Sequence, residues 1–219
     1  NGKHARFAKL VSGPVFGELV ADTDWVAPDG RLVCSDRRTL RAWGTEGVRL
    51  LDFEIAIASA TSDLTFGDDK EGTFGLRVPP WLQADQKKGS PYKGGKLINA
   101  EGKENAAVWG KPSPWCDYSG EHEGKTVGVA IFDSPTNFRH PTTWHARTYG
   151  LFAVNPFGLS YFSGIKDKAK QPNGSHVTPR GKPLVLRYRV YLHDGDAQAA
   201  KVAEHFTAFA SPARAEAKR

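Results

Sequence analysis

The chain has 219 residues, 39% hydrophobic and 25% charged, an ordinary balance for one folded domain with a substantial core. Its net charge of +6 and pI near 9.3 come from basic residues interleaved with acids, without a recognition-helix or RNA-binding strand pattern, so nucleic acid is not an expected partner. The longest apolar runs, such as Val127-Gly128-Val129-Ala130-Ile131-Phe132, fall far short of the roughly 20 residues a membrane helix needs, and no membrane partner is expected.

The opening Asn-Gly-Lys-His-Ala-Arg has no apolar core of a signal peptide, and the chain has no Met, which predicts a processed or partial chain. From there a period of two dominates. Phe16 to Val26 and Arg31 to Trp43 read as long strands joined at Ala27-Pro28-Asp29-Gly30, where Pro presets φ and Asp-Gly accepts a tight reversal. Leu51, Phe53, Ile55 and Ile57 alternate with Asp52, Glu54 and Ala56. Strands follow at 72–78 and 96–100, over Val127, Val129 and Ile131, and at 147–154. Near the end, Leu184, Leu186, Tyr188, Val190 and Leu192 share one strand face, and Arg187, Arg189 and His193 project from the other. One helix is predicted over Ala197–Phe209, capped by Asp196, with Ala199, Val202, Phe206 and Phe209 on one face. Residues 211–219 read as a basic tail. Long strands, 23 glycines for turns and no dividing linker predict an all-β fold, one large antiparallel β-sandwich domain over residues 1–210. Cys34 and Cys116 permit one disulfide at most, and two unpaired, mostly buried thiols are the simpler reading.

Standard nucleotide, hydrolase and zinc-protease motifs are absent. The chemistry-bearing residues gather in three stretches instead. Asp68 to Arg77 brings Lys70, Glu71 and Arg77 to a glycine-flanked strand start, either a surface charge cluster or a close approach to a ligand. Asn99 to Tyr118 carries Asn99, Glu101, Trp109, Trp115 and Asp117. Its tryptophans either anchor a core edge or serve as platforms for sugar rings, with Asn99, Glu101 or Asp117 bonding hydroxyls. Asn137 to Gly150 holds Arg139, His140, Trp144, His145 and Arg147. Pro141 marks it as a loop, and its histidines could be structural, could share a metal or could move protons near neutral pH. Arg139 and Arg147 flank them and could hold an acidic sugar; Asn155-Pro156-Phe157-Gly158 closes the same neighbourhood if the flanking strands form a hairpin.

Several ordered motifs resemble the bacterial PmoA-like family from about residue 7 to residue 209. They are Asp22-Thr23-Asp24-Trp25-Val26-Ala27-Pro28-Asp29-Gly30, Lys70 to Val78, Asn99-Ala100-Glu101-Gly102, Trp109-Gly110-Lys111, Trp115 to Gly120, His140 to His145 and Tyr149 to Gly158. The family's label of methane oxygenase does not fit a chain without multi-span apolar runs. Its likeness to galactose mutarotase-type supersandwiches, shared by the strand Leu184 to His193, implies a concave carbohydrate site in a bacterial cytoplasmic or periplasmic protein. Members of that family usually carry an upstream His-Pro-His-His cluster, and this chain begins after it.

The leading expectation is therefore a protein that binds a sugar or oligosaccharide and acts on it by acid–base chemistry, as an epimerase, lyase or hydrolase. His145 or His140 would move the proton, and Glu71 or Glu101 would be the opposing carboxylate. Trp144, Trp115 and Trp109 would stack on the ring, and Arg139, Lys70, Arg77, Asn99, Asp117 and Asn155 would orient polar groups. No cofactor is expected. A non-catalytic carbohydrate-binding or accessory domain is the alternative, and a metal-dependent enzyme using His140 and His145 is a third.

Overall fold

A computed structural model describes residues 1–45 and 48–211. Residues 212–219, most of the expected basic tail, lie outside the described residues. The architecture is an all-β sandwich built on one eight-stranded antiparallel sheet of order β1-β2-β3-β4-β13-β9-β8-β7. Its strands are β1 (Gly2–Ser12), β2 (Phe16–Val26), β3 (Leu32–Thr45), β4 (Val48–Ala58), β7 (Gly95–Asn99), β8 (Trp115–His122), β9 (Lys125–Asp133) and β13 (Leu184–Asp194). A three-stranded sheet of order β10-β11-β6 lies over part of it: β6 (Phe74–Arg77), β10 (Thr143–Ala146) and β11 (Leu151–Asn155). A small ribbon pairs β5 (Leu64–Phe66) with β12 (His176–Thr178).

Alternation decides which side chains fill the sandwich. From the large sheet, Tyr118, Val129, Ile131, Leu186, Tyr188 and Val190 turn inward; from the small sheet, Phe74, Leu76, Trp144, Ala146, Phe152 and Val154 turn to meet them. The layers touch through aromatic pairs, Phe74 on Tyr188 at 4.8 Å and Phe152 edge-on to Tyr118 at 5.4 Å. Burying each such side chain contributes about 1.5–3 kcal/mol.

The opposite face of the large sheet carries a second core. Ala130, Phe132 and Tyr191 are covered there by α2 (Val202–Ala210), whose Phe206 and Phe209 pack on Phe132. This helix begins later than its sequence pattern predicts. Asp196 does accept from the backbone of Ala199 at 2.9 Å, but it caps a separate turn, and left-handed Lys201 (φ 52°) interrupts the run before Val202.

Most of the expected strands are present, including the turn at Ala27-Pro28-Asp29-Gly30, closed by Gly30 N–H to the Ala27 carbonyl at 3.0 Å. The sequence pattern missed β1 and the strand character of β8. It also placed a loop where β10 runs, because Pro141 precedes a strand only four residues long. Cys34 is partly buried and Cys116 fully buried, and both are free thiols.

Candidate functional site

The small sheet has a core face and an outer face. His145 pairs in register with Ala153, which pairs with Gly75, so these three lie on the outer face while their neighbours fill the core. Gly75 is required there, since a Cβ would come within 2.7 Å of the Ala153 Cβ. Over this face folds the loop between β5 and β6. Asn155 fastens it, donating through Nδ2 to the Asp69 carbonyl at 2.8 Å and accepting the Phe157 N–H through Oδ1 at 2.8 Å. Thr73 N–H adds a bond to the Val154 carbonyl at 2.9 Å.

The same loop sets the state of His145. The Lys70 carbonyl lies 3.0 Å from His145 Nδ1 and can only accept, so Nδ1 carries the proton and Nε2 keeps its lone pair. His145 is 4% exposed, and burial, reinforced by the nearby Arg147 and Lys70 charges, pulls its pKa below the usual imidazole value. The bond to Lys70 and the Glu71 carboxylate oppose that shift without reversing it. Beside it, Lys70 Nζ pairs with Glu71 at 2.7 Å and lies 5.9 Å from the ring centroid of Tyr161. The Lys70 ammonium holds the Glu71 carboxyl below its ordinary range, so Glu71 is an anion and not a proton donor. Arg147, two residues on, stacks over Trp109 at 4.6 Å, and the edge of Phe162, at the end of α1 (Leu159–Phe162), closes against the same indole at 5.5 Å.

The remaining expected site residues separate from this cluster. Trp144 is fully enclosed in the core with its indole N–H on the Ser113 carbonyl, so it has no ring face for a sugar. Trp115 packs beneath α2 on the far side of the large sheet. Asn99 is buried and accepts the Lys103 N–H at 2.8 Å, and Glu101 is exposed at a turn beside it. Asp117 is buried against His193, Oδ2 to Nε2 2.7 Å, with burial pushing its carboxyl upward. Arg77 reaches out over Tyr149 at 5.6 Å.

His140 and Arg139 belong to a structural network that the sequence pattern did not distinguish from a site. Asp133, fully buried, takes His140 Nδ1 at 2.8 Å, Asn137 Nδ2 at 2.8 Å and the Thr142 N–H at 3.0 Å. Arg139 donates to the carbonyls of Pro156, Gly174 and Ser175 at 2.8, 2.7 and 3.3 Å. The costly polar groups of this stretch therefore mostly satisfy one another and the backbone. His140 and His145 do not converge: one ring faces Asp133, the other Lys70. Among the described residues no three His, Cys, Asp or Glu side chains gather as a metal site would require. No helix among the described residues is long and apolar enough to cross a membrane.

What sequence reasoning missed at the site is Tyr161 and the carbonyl of Lys70. An isolated tyrosine after Gly158 carried no signal, and backbone acceptors have none to give.

Residues 1–207 match a family described as a family of unknown function (DUF6807), and the chain belongs to that family. No curated protein matches the chain.

Proposed function

From membership in a family without an assigned activity, we propose that the protein binds a carbohydrate on the outer face of the small sheet and acts on it by proton transfer at His145. The observation that carries this reading is the Lys70 carbonyl on Nδ1, which leaves a neutral imidazole with an unprotonated Nε2. Nε2 has no hydrogen-bond partner among the described residues. Lys70 and Glu71 would hold substrate hydroxyls, and Tyr161, 46% exposed, would offer its ring face.

The charge states favour one reaction type among those expected. Hydrolysis needs a carboxylic acid kept protonated, and Glu71 is displaced the other way. Epimerisation or elimination needs a base, which a neutral imidazole supplies. In epimerisation His145 Nε2 would remove the proton from one face of the substrate carbon, the planar carbanion would turn its other face to the imidazolium, and the same proton would return there, so the configuration inverts and nothing else is consumed. The resemblance to PmoA-like and mutarotase-type proteins supports the carbohydrate class.

The test is proton exchange and epimerisation of free hexoses and hexuronates in deuterated water, with His145→Gln as the comparison. Wild-type exchange with an acid limb, lost in His145→Gln at an unchanged melting temperature, is the expected result. A variant that unfolds makes His145 structural, and exchange that survives the substitution removes it from the reaction. A second reading, binding without catalysis, is favoured by the exposed Tyr161 and Tyr149 beside Lys70 and Arg77. It predicts sugar binding that persists in His145→Gln with no exchange in either protein.

A further inference from the structure

The outer face of the small sheet holds a guanidinium without an anion. Alternation along β10 puts His145 and Arg147 on the same face, and the Arg147 N–H to the Leu151 carbonyl at 2.7 Å carries the ladder one residue past the strand. Two such positions start about 7 Å apart. Phe162 joins them: its ring centroid lies 6.1 Å from that of His145 and 5.5 Å from that of Trp109, on which Arg147 is stacked. Arg139, the other arginine beside the histidines, is taken by three carbonyls. Arg147 is partly buried, yet among the described residues its guanidinium donates to no carboxylate or carbonyl. Its Nε is enclosed without an acceptor, as is the indole Nε1 of Trp109. The acids of the neighbouring loop are engaged elsewhere: Glu71 pairs with Lys70, Asp69 accepts the Glu71 N–H at 2.8 Å, and Asp68 accepts the Ser160 N–H at 3.3 Å. Covering a cation in this way without a bond to it is unfavourable, and a bound anion would offset that cost.

We propose that the sugar taken here is a uronate, with its carboxylate on the terminal nitrogens of Arg147 and the carbon beside that carboxylate under His145. The inference rests on the acid–base reading of His145 and names its substrate class. A guanidinium edge matches a carboxylate in two parallel bonds, and Trp109, covering one face of the group, fixes how that edge points. Adjacent positions on one strand face suit a substrate whose bound anion and reacting carbon are directly bonded. The carboxylate also gives the reaction a place for its electrons. When His145 Nε2 takes the proton, the C–H electron pair delocalises into the carboxylate, and the added negative charge meets Arg147. Return of the proton from the imidazolium to that carbon restores the carboxylate, so no co-reactant is consumed. A neutral hexose has no such electron sink at the same carbon.

Ligand-observed NMR of the full chain in deuterated water tests it. The probes are the methyl glycosides of glucuronate and galacturonate, against methyl glucoside and methyl galactoside, which carry a hydroxymethyl group in place of the carboxylate. The expected result is tighter binding of a uronide than of its neutral counterpart, with loss of the signal from the proton beside the carboxylate. Arg147→Gln should weaken uronide binding about tenfold or more and slow that exchange, while Arg147→Lys, which keeps the charge, should retain part of both. No uronide binding, equal affinity for uronide and neutral glycoside in the wild type, or uronide binding unchanged in Arg147→Gln each overturns the uronate. Arg147-dependent uronide binding without exchange in the wild type keeps the carboxylate site and removes proton transfer at His145, so the two readings fail separately. The comparison of uronide with neutral glycoside is made on the wild type, so it decides the question even where Arg147→Gln lowers the melting temperature.

Discussion

The large sheet is one continuous antiparallel structure with two very different halves. In the half formed by β13, β9 and β8, both faces are covered, one by the small sheet and one by α2. Its polar residues are buried in pairs such as Asp117–His193 and Asp133–His140. In the wing formed by β1, β2 and β3, the same alternation lines up a ladder of ion pairs whose cationic members are exposed and cover the carboxylates. Asp22 lies between Arg6 and Arg37 at 2.8 and 2.7 Å, and Glu18 between Lys9 and Arg41 at 2.7 and 2.5 Å. The cationic partners there are 44–67% exposed. The opposite face of the wing leaves Phe7 and Leu10 open at 58% and 65%. The chemistry of an ion pair is the same in both halves, but its cover determines whether breaking it matters. Water re-solvates a bereaved carboxylate in the wing and cannot reach one under α2.

The sharpest way to break this comparison is Asp117→Ala, which strands the 5% exposed His193 without its partner. Urea denaturation should show a loss of about 3–5 kcal/mol. The double variant Asp117→Leu, His193→Leu should recover much of that loss, because the cost lies in the unpaired group and not in the absent pair. Recovery failing in the double variant would mean that the pair itself stabilises the fold. Arg139→Ala comes next. It removes charged donors from three carbonyls around Gly174, and a loss of about 2 kcal/mol or more is expected from the same measurement.

A third effect is smaller and depends on pH. His145 is held below the ordinary imidazole value, so below about 6.5 the unfolded chain binds a proton that the folded chain refuses. Its contribution to stability is fully present above that value and is lost as pH falls through the folded-state pKa. His145→Gln should flatten this part of the stability profile, and the His145 ring resonances should titrate below 6.5 in the wild type. The smallest effect belongs to the wing: Asp22→Asn should cost about 1 kcal/mol or less, reduced further by added salt. A larger loss there would show that the ladder acts as more than a set of solvated pairs.

Much of the fold was legible because alternation is a local property. Leu184, Leu186, Tyr188 and Val190 did face the core, and Arg187, Arg189 and His193 did face away. The misses were local signals overruled by neighbours. β10 is short and follows Pro141, yet its ladder with β11 gives each residue a partner. Lys201 looks helical by composition but adopts a left-handed turn. The site was half legible. Lys70, Glu71 and His145 were read from their residue types and do meet, although 74 residues or more of chain separate them. Trp115 and Trp144 were read from theirs and do not join them.

By itself, then, the sequence determined the strand period, the all-β class and the inventory of groups able to do chemistry, since each follows from a residue and its near neighbours. Only the tertiary structure decided which of those groups share a surface. One imidazole is turned to a backbone carbonyl and the other to a carboxylate, and Trp144 and Trp115 pack into cores on opposite faces of the large sheet. The reason is that burial and hydrogen-bond partnership are supplied by distant segments. A histidine carries no local mark of whether a carbonyl 75 residues away in sequence will take its proton.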